Sequence, residues 1–272
     1  MSSDITTSAD ATDAVLLTDV VAAVQNAGRA LLARYTPGAR PDGREALFAA
    51  LSANERVSAD LLRVALSTLR PGAGWVDEGL ETVPLPDGEW WVVDAVEGNV
   101  NHVHGMPEWA VTATLVRDNA PVLAVVNQPV GDLTYTALRG NGAQLNGHAL
   151  HTSAKTDLSA ALAATGQAEA GQTDTYPKIA ASVGAMLARV LLVRATVPST
   201  FPMLLIAEGH IDVFWQYQSV LPGIAAGALL ISEAGGRVTG TNGEPWRPGE
   251  RNVIAAAPGV HAAAVDVLSN LS

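Results

Sequence analysis

The sequence predicts a layered fold of the mixed α+β and α/β classes, with two halves that meet near residue 150. Two amphipathic helical segments open the chain, an antiparallel run of apolar strands follows, and helical and strand-like segments alternate in the second half. The 272 residues, 48% of them hydrophobic, suffice for a sizeable core. We expect a disordered tail at 1–12, an N-terminal subdomain at 13–150 and a C-terminal subdomain at 151–272.

Two helices are predicted at the start of the N-terminal half. Residues 13–34 carry apolar side chains on one broad face at helical spacing, and the pattern stops at Pro37-Gly38. The segment Ser52 to Glu55 matches a capping box, in which a hydroxyl and a carboxyl group satisfy the first free N–H groups of a helix. This segment therefore predicts that a second helix begins near Ser52 and ends before Pro71.

Strands follow these helices. Turn residues separate four apolar segments, which predicts a meander. Its strands are predicted at 90–93, 110–117, 122–126 and 133–138. The second half is predicted to contain helices at 178–188, 199–208, 224–234 and 261–271, and strands at 190–193, 211–215 and 253–257.

Composition argues against several classes of protein. The formal net charge is −11 and the basic residues are scattered, which disfavours nucleic acid as a partner. The chain has no cysteine, so it forms no disulfide, thiolate metal site or Cys nucleophile. The N-terminal residues lack the pattern of a signal peptide, and no apolar run approaches the length of a membrane helix. We expect a cytoplasmic protein that binds a small molecule and no membrane.

The densest polar cluster runs from Asp94 to Gly105, directly after a predicted strand. Asp94 and Glu97 are carboxylates three residues apart, ahead of Gly98, and they could converge on a hard cation together with a backbone carbonyl between them. On the residues alone, the alternative is that Asp94 begins a turn and Glu97 is solvated.

Two longer stretches resemble the signatures of the inositol monophosphatase family. Residues 91–107, WVVDAVEGNVNHVHGMP, are similar to the family's W-I-D-P-I-D-G-T-x-N-F-x-H-G-x-P. Residues 224–236, IAAGALLISEAGG, are similar to its second signature, W-D-x-A-A-G-x-L-x-x-E-A-G-G. The resemblance implies a layered α/β/α/β/α sandwich, a homodimer, and hydrolysis of phosphomonoesters with Mg²⁺ ions that polarise the phosphate and activate water.

The resemblance also implies an altered metal centre. Glu78, Asp94 and the Val96 carbonyl fall on the family's ligands for one ion, so we expect no metal or a weakly bound Mg²⁺. At the second ion, Glu97 replaces an aspartate, and Gly223 stands where the family has another aspartate. Gly223 offers no side-chain oxygen, so we expect this second site to be lost unless the longer Glu97 partly compensates.

Further positions depart from the family among the residues that orient the nucleophilic water and those that contact the substrate. Asn99 replaces the threonine that helps to orient the nucleophilic water, and Glu55 falls on an aspartate that backs the site. Pro198 and Ser199 fall on the segment whose backbone grips the ligand, and Gln216 replaces a glutamate that contacts substrate hydroxyls. The remaining candidates for the substrate pocket are His104, Trp109 and Tyr217, although aromatic residues in such a scaffold more often fill the core.

These departures leave three functions open. The first is a repurposed enzyme that performs metal-independent acid–base chemistry, such as cyclisation, isomerisation or elimination, on a small polar or cationic metabolite. Its catalytic groups would be Asp94, Glu97, Asn99, His102 and Glu108. His102 and Glu108 are equally consistent with surface residues. The alternative is a Mg²⁺-dependent phosphomonoesterase that acts on inositol or sugar phosphates, and the third possibility is a catalytically inactive binding protein.

Overall fold

The computed structural model describes residues 3–77, 79–167 and 171–271, which form two β-sheets and seven α-helices. The helices are α1 (Ser3–Leu32), α2 (Arg44–Leu69), α3 (Asn99–Val103), α4 (Tyr176–Leu187), α5 (Thr200–Ala207), α6 (Pro222–Glu233) and α7 (Pro258–Ser269). The strands are β1 (Gly74–Trp75), β2 (Glu89–Glu97), β3 (Ala110–Arg117), β4 (Ala120–Gln128), β5 (Leu133–Leu138), β6 (Gly142–Leu145), β7 (His148–Ala149), β8 (Leu162–Thr165), β9 (Leu192–Ala195), β10 (Val213–Gln216), β11 (Arg237–Thr239) and β12 (Val253–Ala256).

The first sheet contains β1 to β7 in the order of the sequence. Strands β2 to β7 form the predicted antiparallel meander, and β1 pairs with β2 in parallel. The second sheet has the order β11-β12-β10-β8-β9, in which β8 pairs in parallel with both β9 and β10. The two sheets lie on either side of residue 150 in the sequence, as expected, while the division into subdomains stays a prediction.

Helices and sheets alternate in five layers, which confirms the predicted fold class. Helices α1 and α2 cover one face of the first sheet, α5 and α6 lie between the sheets, and α4 and α7 cover the outer face of the second sheet. Three apolar clusters fill the spaces between layers, each centred on large buried side chains. Examples are Trp91 beneath α1 and α2, Phe214 between the sheets, and Trp215 beneath α4 and α7.

The two N-terminal helices start earlier than the sequence predicts. Helix α1 begins at Ser3, ahead of the start predicted at residue 13, while the disordered tail at 1–12 stays a prediction. Helix α2 begins at Arg44 and passes through Ser52 to Glu55, so the predicted capping box is not a helix start. Residues 44–51 include strong helix formers such as Glu45, Ala46 and Leu47, which extend the helix beyond the local capping pattern.

One segment of α1, Asp13–Leu32, is long and apolar enough by composition to cross a membrane, with a mean hydropathy of 1.3. No segment of this kind was expected from the sequence. In the folded chain its buried residues, including Val20, Val24 and Leu31, pack in the apolar cluster beneath the first sheet. Packing against β3, β4 and β5 therefore accounts for the buried third of this segment.

Candidate functional site

The site is built at the end of β2, where a β-bulge changes the direction of its side chains. Asp94 lies opposite Thr112 and Glu97 lies opposite Ala110, so β2 contains one more residue than β3 over this interval. Gly98 then turns the chain with a φ of 77°, and a β-carbon there would lie 2.6 Å from the Glu108 carbonyl oxygen. Glycine is required at this turn both by its left-handed conformation and by this close approach.

The bulge brings the carboxyl groups of Asp94 and Glu97 together. A hydrogen bond joins them, and Asp94 Oδ1 also accepts one from the Val96 N–H at 3.0 Å. Burial of the carboxyl group raises the pKa of Asp94 well above its usual value, and the charge of Glu97 raises it further. The side chain of Glu97 is only 4% exposed. Because Glu97 is buried against Asp94, it is not an independent surface group, and the solvated alternative for Glu97 is wrong.

Glu97 extends from the first sheet towards the central helices α5 and α6. Its Oε1 accepts a hydrogen bond of 3.4 Å from the Thr200 N–H at the start of α5. A β-carbon at Gly223, in the first turn of α6, would lie 3.8 Å from Glu97 Oε2 and 3.9 Å from Oε1. The longer side chain therefore places its carboxylate beside the position at which Gly223 lacks a side chain.

Three of the predicted substrate-side residues adjoin this carboxylate. Pro198 follows a cis peptide bond and packs against Gly98, and Ser199 lies beside Gly223. The Ser199 hydroxyl donates a hydrogen bond to Oε1 of Gln216, and the Gln216 Nε2 donates to the Gln167 carbonyl at 3.3 Å. The chain thus brings Asp94 and Glu97 of β2 together with Ser199 and Gln216, which come from two other segments.

Helix α2 contributes Glu55 to the same region. Its side chain is open to solvent, but the surrounding protein displaces part of the water around the carboxyl group, which raises its pKa. The negative charge of Asp94 raises it further, so the two groups interact electrostatically. A carboxyl group with a raised pKa next to a carboxylate pair accepts a proton more readily than an ordinary carboxylate, as a general base requires.

Asn99 and His102 are held behind the site by a buried asparagine that the sequence analysis missed. Asn54 Nδ2 donates to Asn99 Oδ1 and to His102 Nδ1, each at 3.0 Å, and Asn54 Oδ1 accepts from Arg34 Nε at 2.9 Å. Asn99 Nδ2 in turn donates to the Leu51 carbonyl at 3.0 Å. A signal was available, because Asn54 repeats at four-residue spacing with Ser58, Leu62 and Leu66 on the buried face of α2.

The hydrogen bonds of His102 define its protonation state. Its Nε2 lies 3.0 Å from the Leu31 carbonyl oxygen, which can only accept, so Nε2 carries the proton. Its Nδ1 accepts from Asn54, and burial lowers the pKa of the imidazole. The ring also packs edge-on against Tyr35 and Trp109. Both nitrogens have partners, so in this structure neither nitrogen of His102 is available for the predicted proton transfer.

The other sequence candidates lie elsewhere. His104 bonds its own helix through the Val100 carbonyl, and Glu108 lines a separate cavity of about 670 Å³. Trp109 and Tyr217 are buried in two different apolar clusters. The structure therefore does not bring these four residues together with Asp94 and Glu97.

The donor set at the site suits a hard cation. Asp94 and Glu97 are paired oxygen donors, which Mg²⁺ prefers, and a cation would relieve the repulsion that raises the pKa of Asp94. Among the described residues, no group of three or more His, Asp and Glu side chains is close enough to form a complete metal site. The predicted ligand Glu78 lies outside the described residues, and a ligand role for Val96 stays a prediction.

Comparison with known proteins identifies the family. The model of the inositol monophosphatase family matches residues 13–270. The inositol-1-monophosphatase of Rhizobium meliloti is 34% identical over 194 residues, which cover 71% of this chain and 73% of that protein. A putative Nus factor SuhB of Neisseria meningitidis serogroup B is 31% identical over 179 residues, or 66% of this chain and 68% of that protein.

Solved structures agree with this assignment. The extragenic suppressor protein SuhB of Bartonella henselae superposes with a TM-score of 0.79 at 26% identity, covering 94% of this chain and all of that chain. An inositol monophosphatase from Anabaena has the same fold, with a TM-score of 0.81 at 21% identity over 95% of this chain and 96% of that chain.

These relatives correct the leading functional prediction. Several of them are named as inositol monophosphatases, which indicates a phosphoric monoester hydrolase. The prediction of a cyclase, isomerase or lyase is therefore wrong. The family match over nearly the whole chain and the shared five-layer fold support one conclusion: the chain belongs to the inositol monophosphatase family.

Proposed function

We propose that this protein is a Mg²⁺-dependent phosphomonoesterase that acts on inositol or sugar phosphates. The observation that carries the proposal is the position of the Glu97 carboxylate, which is bonded to Asp94 and lies beside Gly223 and the start of α5. The Glu97 carboxylate thus provides an acidic oxygen donor next to Gly223, which has no side-chain oxygen of its own. The named monophosphatases among the relatives support the same reaction class.

Asp94 and Glu97 would hold the cation, with Glu78 from the segment before β2 as a further candidate ligand. Bound Mg²⁺ supplies a Lewis acid and lowers the pKa of a coordinated water molecule. We assign the orientation of the attacking water to Glu55, because Asn99 uses both ends of its amide to hold Asn54 and Leu51. Glu55 accepts a proton from that water more readily than an ordinary carboxylate would, since its pKa is raised.

The substrate alcohol would lie against Ser199 and Gln216. Their hydrogen bond presents a hydroxyl and an amide beside the carboxylate pair, and neither group carries a charge. Such neutral donors and acceptors suit the hydroxyl groups of a polyol. Thr200 begins the eight-residue helix α5, whose first N–H groups form the positive end of the helix dipole beside Glu97, and this end favours the phosphate group there.

The test is phosphate release from a panel of inositol and sugar phosphates by the native chain, with Mg²⁺ and with EDTA. We expect release with Mg²⁺ only, and a loss of at least about a hundredfold in Asp94→Asn and Glu97→Gln, since each removes a carboxylate from the charge-stabilising set. The control is Asp60→Asn, which changes an exposed carboxylate on α2. Substrate binding with no release by the native chain would overturn the proposal in favour of an inactive binding protein.

We also propose that the protein is a homodimer. Strand β9 is an edge of the second sheet, and exposed leucines cluster at it and at the end of α4. Leu187, Leu191 and Leu192 are 56%, 65% and 39% exposed, which favours a partner surface. Light scattering after gel filtration should give twice the mass of 28.1 kDa, and Leu191→Lys should shift it towards one chain. A single-chain mass for the native protein would contradict the proposal.

A further inference from the structure

A second concave site lies at the opposite end of α6 from Gly223. Its volume is about 320 Å³, and its walls come from the β3–β4 turn, the β5–β6 turn, the last turns of α6, and residues 245–247 after β11. Ten residues of helix separate Gly223 from Glu233, which corresponds to about 15 Å along α6. This cavity is therefore separate from the carboxylate site.

Two arginines line the cavity in a chain whose net charge is −11. Arg247 is exposed and makes no ion pair with a described carboxylate. Arg139 donates to the Pro121 carbonyl; burial lowers the pKa of its guanidinium group, and the positive charges of Arg117 and Arg247 lower it further. Arg139 and Arg247 therefore place two positive charges in the wall of one cavity.

The one carboxylate in the cavity wall is already engaged. Glu233 Oε1 and Oε2 accept hydrogen bonds of 2.9 Å from the N–H groups of Gly140 and Gly142, which close the β5–β6 turn. Glu233 therefore holds the turn that carries Arg139, and it offsets only one of the two positive charges. The cavity has a net positive charge on an otherwise acidic protein.

The floor of the cavity is apolar. Leu229 and Trp246 are 5% and 9% exposed, and Ala228 and Val238 complete this surface. A site with an apolar floor and charged groups at its edge can bury the body of a ligand while it holds one charged group. The volume fits the lower range of small-molecule pockets.

We propose that this cavity binds a small organic anion, with an apolar body against Leu229 and Trp246 and a phosphate or carboxylate group between Arg139 and Arg247. The guanidinium group forms two parallel hydrogen bonds with either anion, so both chemistries fit the same arginines. The anionic group of the ligand would neutralise the positive charge that Glu233 does not offset. This site is independent of the proposed phosphatase reaction and of its metal.

Three probes with the same ring separate the possible ligands: 1-naphthyl phosphate, 1-naphthoate and neutral 1-naphthalenemethanol. Titration calorimetry on the full chain in EDTA suppresses Mg²⁺-dependent binding at the carboxylate site. We expect at least one anion to bind about tenfold or more tightly than the alcohol, since hydrogen bonds to charged groups are worth this much. The preferred anion shows whether the site takes phosphates or carboxylates.

The variants are Arg247→Gln and Arg139→Gln, with Arg189→Gln as a control on an exposed arginine that does not line the cavity. We expect each cavity variant to weaken anion binding about tenfold and the control to change it less than about twofold. Arg247→Gln should fold normally, because it breaks no ion pair with a described residue. Binding should also shift the indole N–H resonance of Trp246 in NMR spectra, assigned with Trp246→Phe.

Two results would overturn the proposal. One is no anion binding at millimolar probe with an unperturbed Trp246 resonance. The other is equal weakening in Arg247→Gln and Arg189→Gln, which would indicate attraction by overall charge alone.

Discussion

Glu97 and Gly223 form a complementary pair across the interface between the first sheet and helix α6. A β-carbon at position 223 would lie 3.8 Å from Glu97 Oε2, in ordinary van der Waals contact, so any side chain at 223 would begin beside this carboxylate. The two departures from the family signatures are thus adjacent in space, although they lie far apart in the sequence. The glycine at 223 adds no second charge beside the long acid at 97.

This proximity predicts a non-additive pair of mutations. Gly223→Asp alone should lower stability in EDTA, because it brings a second carboxylate close to Glu97. The double variant Glu97→Asp/Gly223→Asp should recover part of this loss, because the shorter acid at 97 moves the two charges apart, with an interaction energy of about 1–3 kcal/mol in the cycle. Urea unfolding in EDTA measures these effects. Gly184→Asp is the control, since Gly184 also lies in a helix but has open space around it. Simple additivity would refute the coupling.

The raised pKa of Asp94 predicts how stability without metal depends on pH. The pKa of Asp94 is raised above its usual 3.8, so the folded state favours the protonated acid. Its contribution to stability is complete below that usual pKa and is lost as the pH rises through the raised value. In EDTA, the Tm of the native chain should therefore fall relative to that of Asp94→Asn as the pH rises above about 4. Mg²⁺ should reverse the trend, because it favours the ionised pair. A pH-independent difference would contradict this account.

The hydrogen bonds of Asn54 predict that a substitution at this position changes the pKa of His102. In Asn54→Asp, a carboxylate replaces the amide that donates to His102 Nδ1, and it would accept a proton from a charged imidazole. The pKa of His102, lowered by burial in the native chain, should then rise. Asn54→Leu should instead cost about 1–3 kcal/mol of stability, since it leaves buried polar groups without partners. Titration by NMR and urea unfolding measure the two effects, and an unchanged His102 pKa in Asn54→Asp would rule out the assigned contact.

Asp212 is predicted to be a structural acid. It is fully buried and accepts hydrogen bonds from Ser153 Oγ, Lys155 Nζ and the Leu162 N–H at 2.5, 2.7 and 2.7 Å. Asp212→Ala should lower the free energy of unfolding by about 3 kcal/mol, because it leaves three donors without their acceptor. The catalytic rate at low temperature should stay unchanged. Asp266→Ala, on the outer helix α7, serves as the comparison in urea unfolding.

The fold was predictable because periodicity extends over many residues. Strands β3, β4 and β5 of the meander and most helices follow from apolar spacing and turn residues. The starts of the two N-terminal helices were not predictable. At α2, for example, the capping pattern at Ser52 is local and the preceding residues also favour a helix. Short strands such as β7 and β11 have only two or three residues, too few to show a period.

The site was predictable where its residues are close in the sequence. Asp94 and Glu97 meet because they lie at one bulge of one strand. Whether His102 faces the same way depends on Leu31 and Asn54, which belong to two other elements. Glu108 and Trp109 are neighbours in sequence, yet one lines a cavity and the other is buried against His102. Such side-chain orientations depend on how distant elements pack together, which cannot be deduced from a single sequence.

The hydrogen bonds of Asn99 and His102 also bear on the order in which the molecule folds. These residues take their partners from Leu31, Leu51 and Asn54, so α3 gains these contacts only when both N-terminal helices have docked on the sheet. Contacts over such sequence separations form slowly, because the connecting chain must first be closed. Local unfolding that releases α1 or α2 therefore also removes the partners that hold α3 behind the carboxylate site.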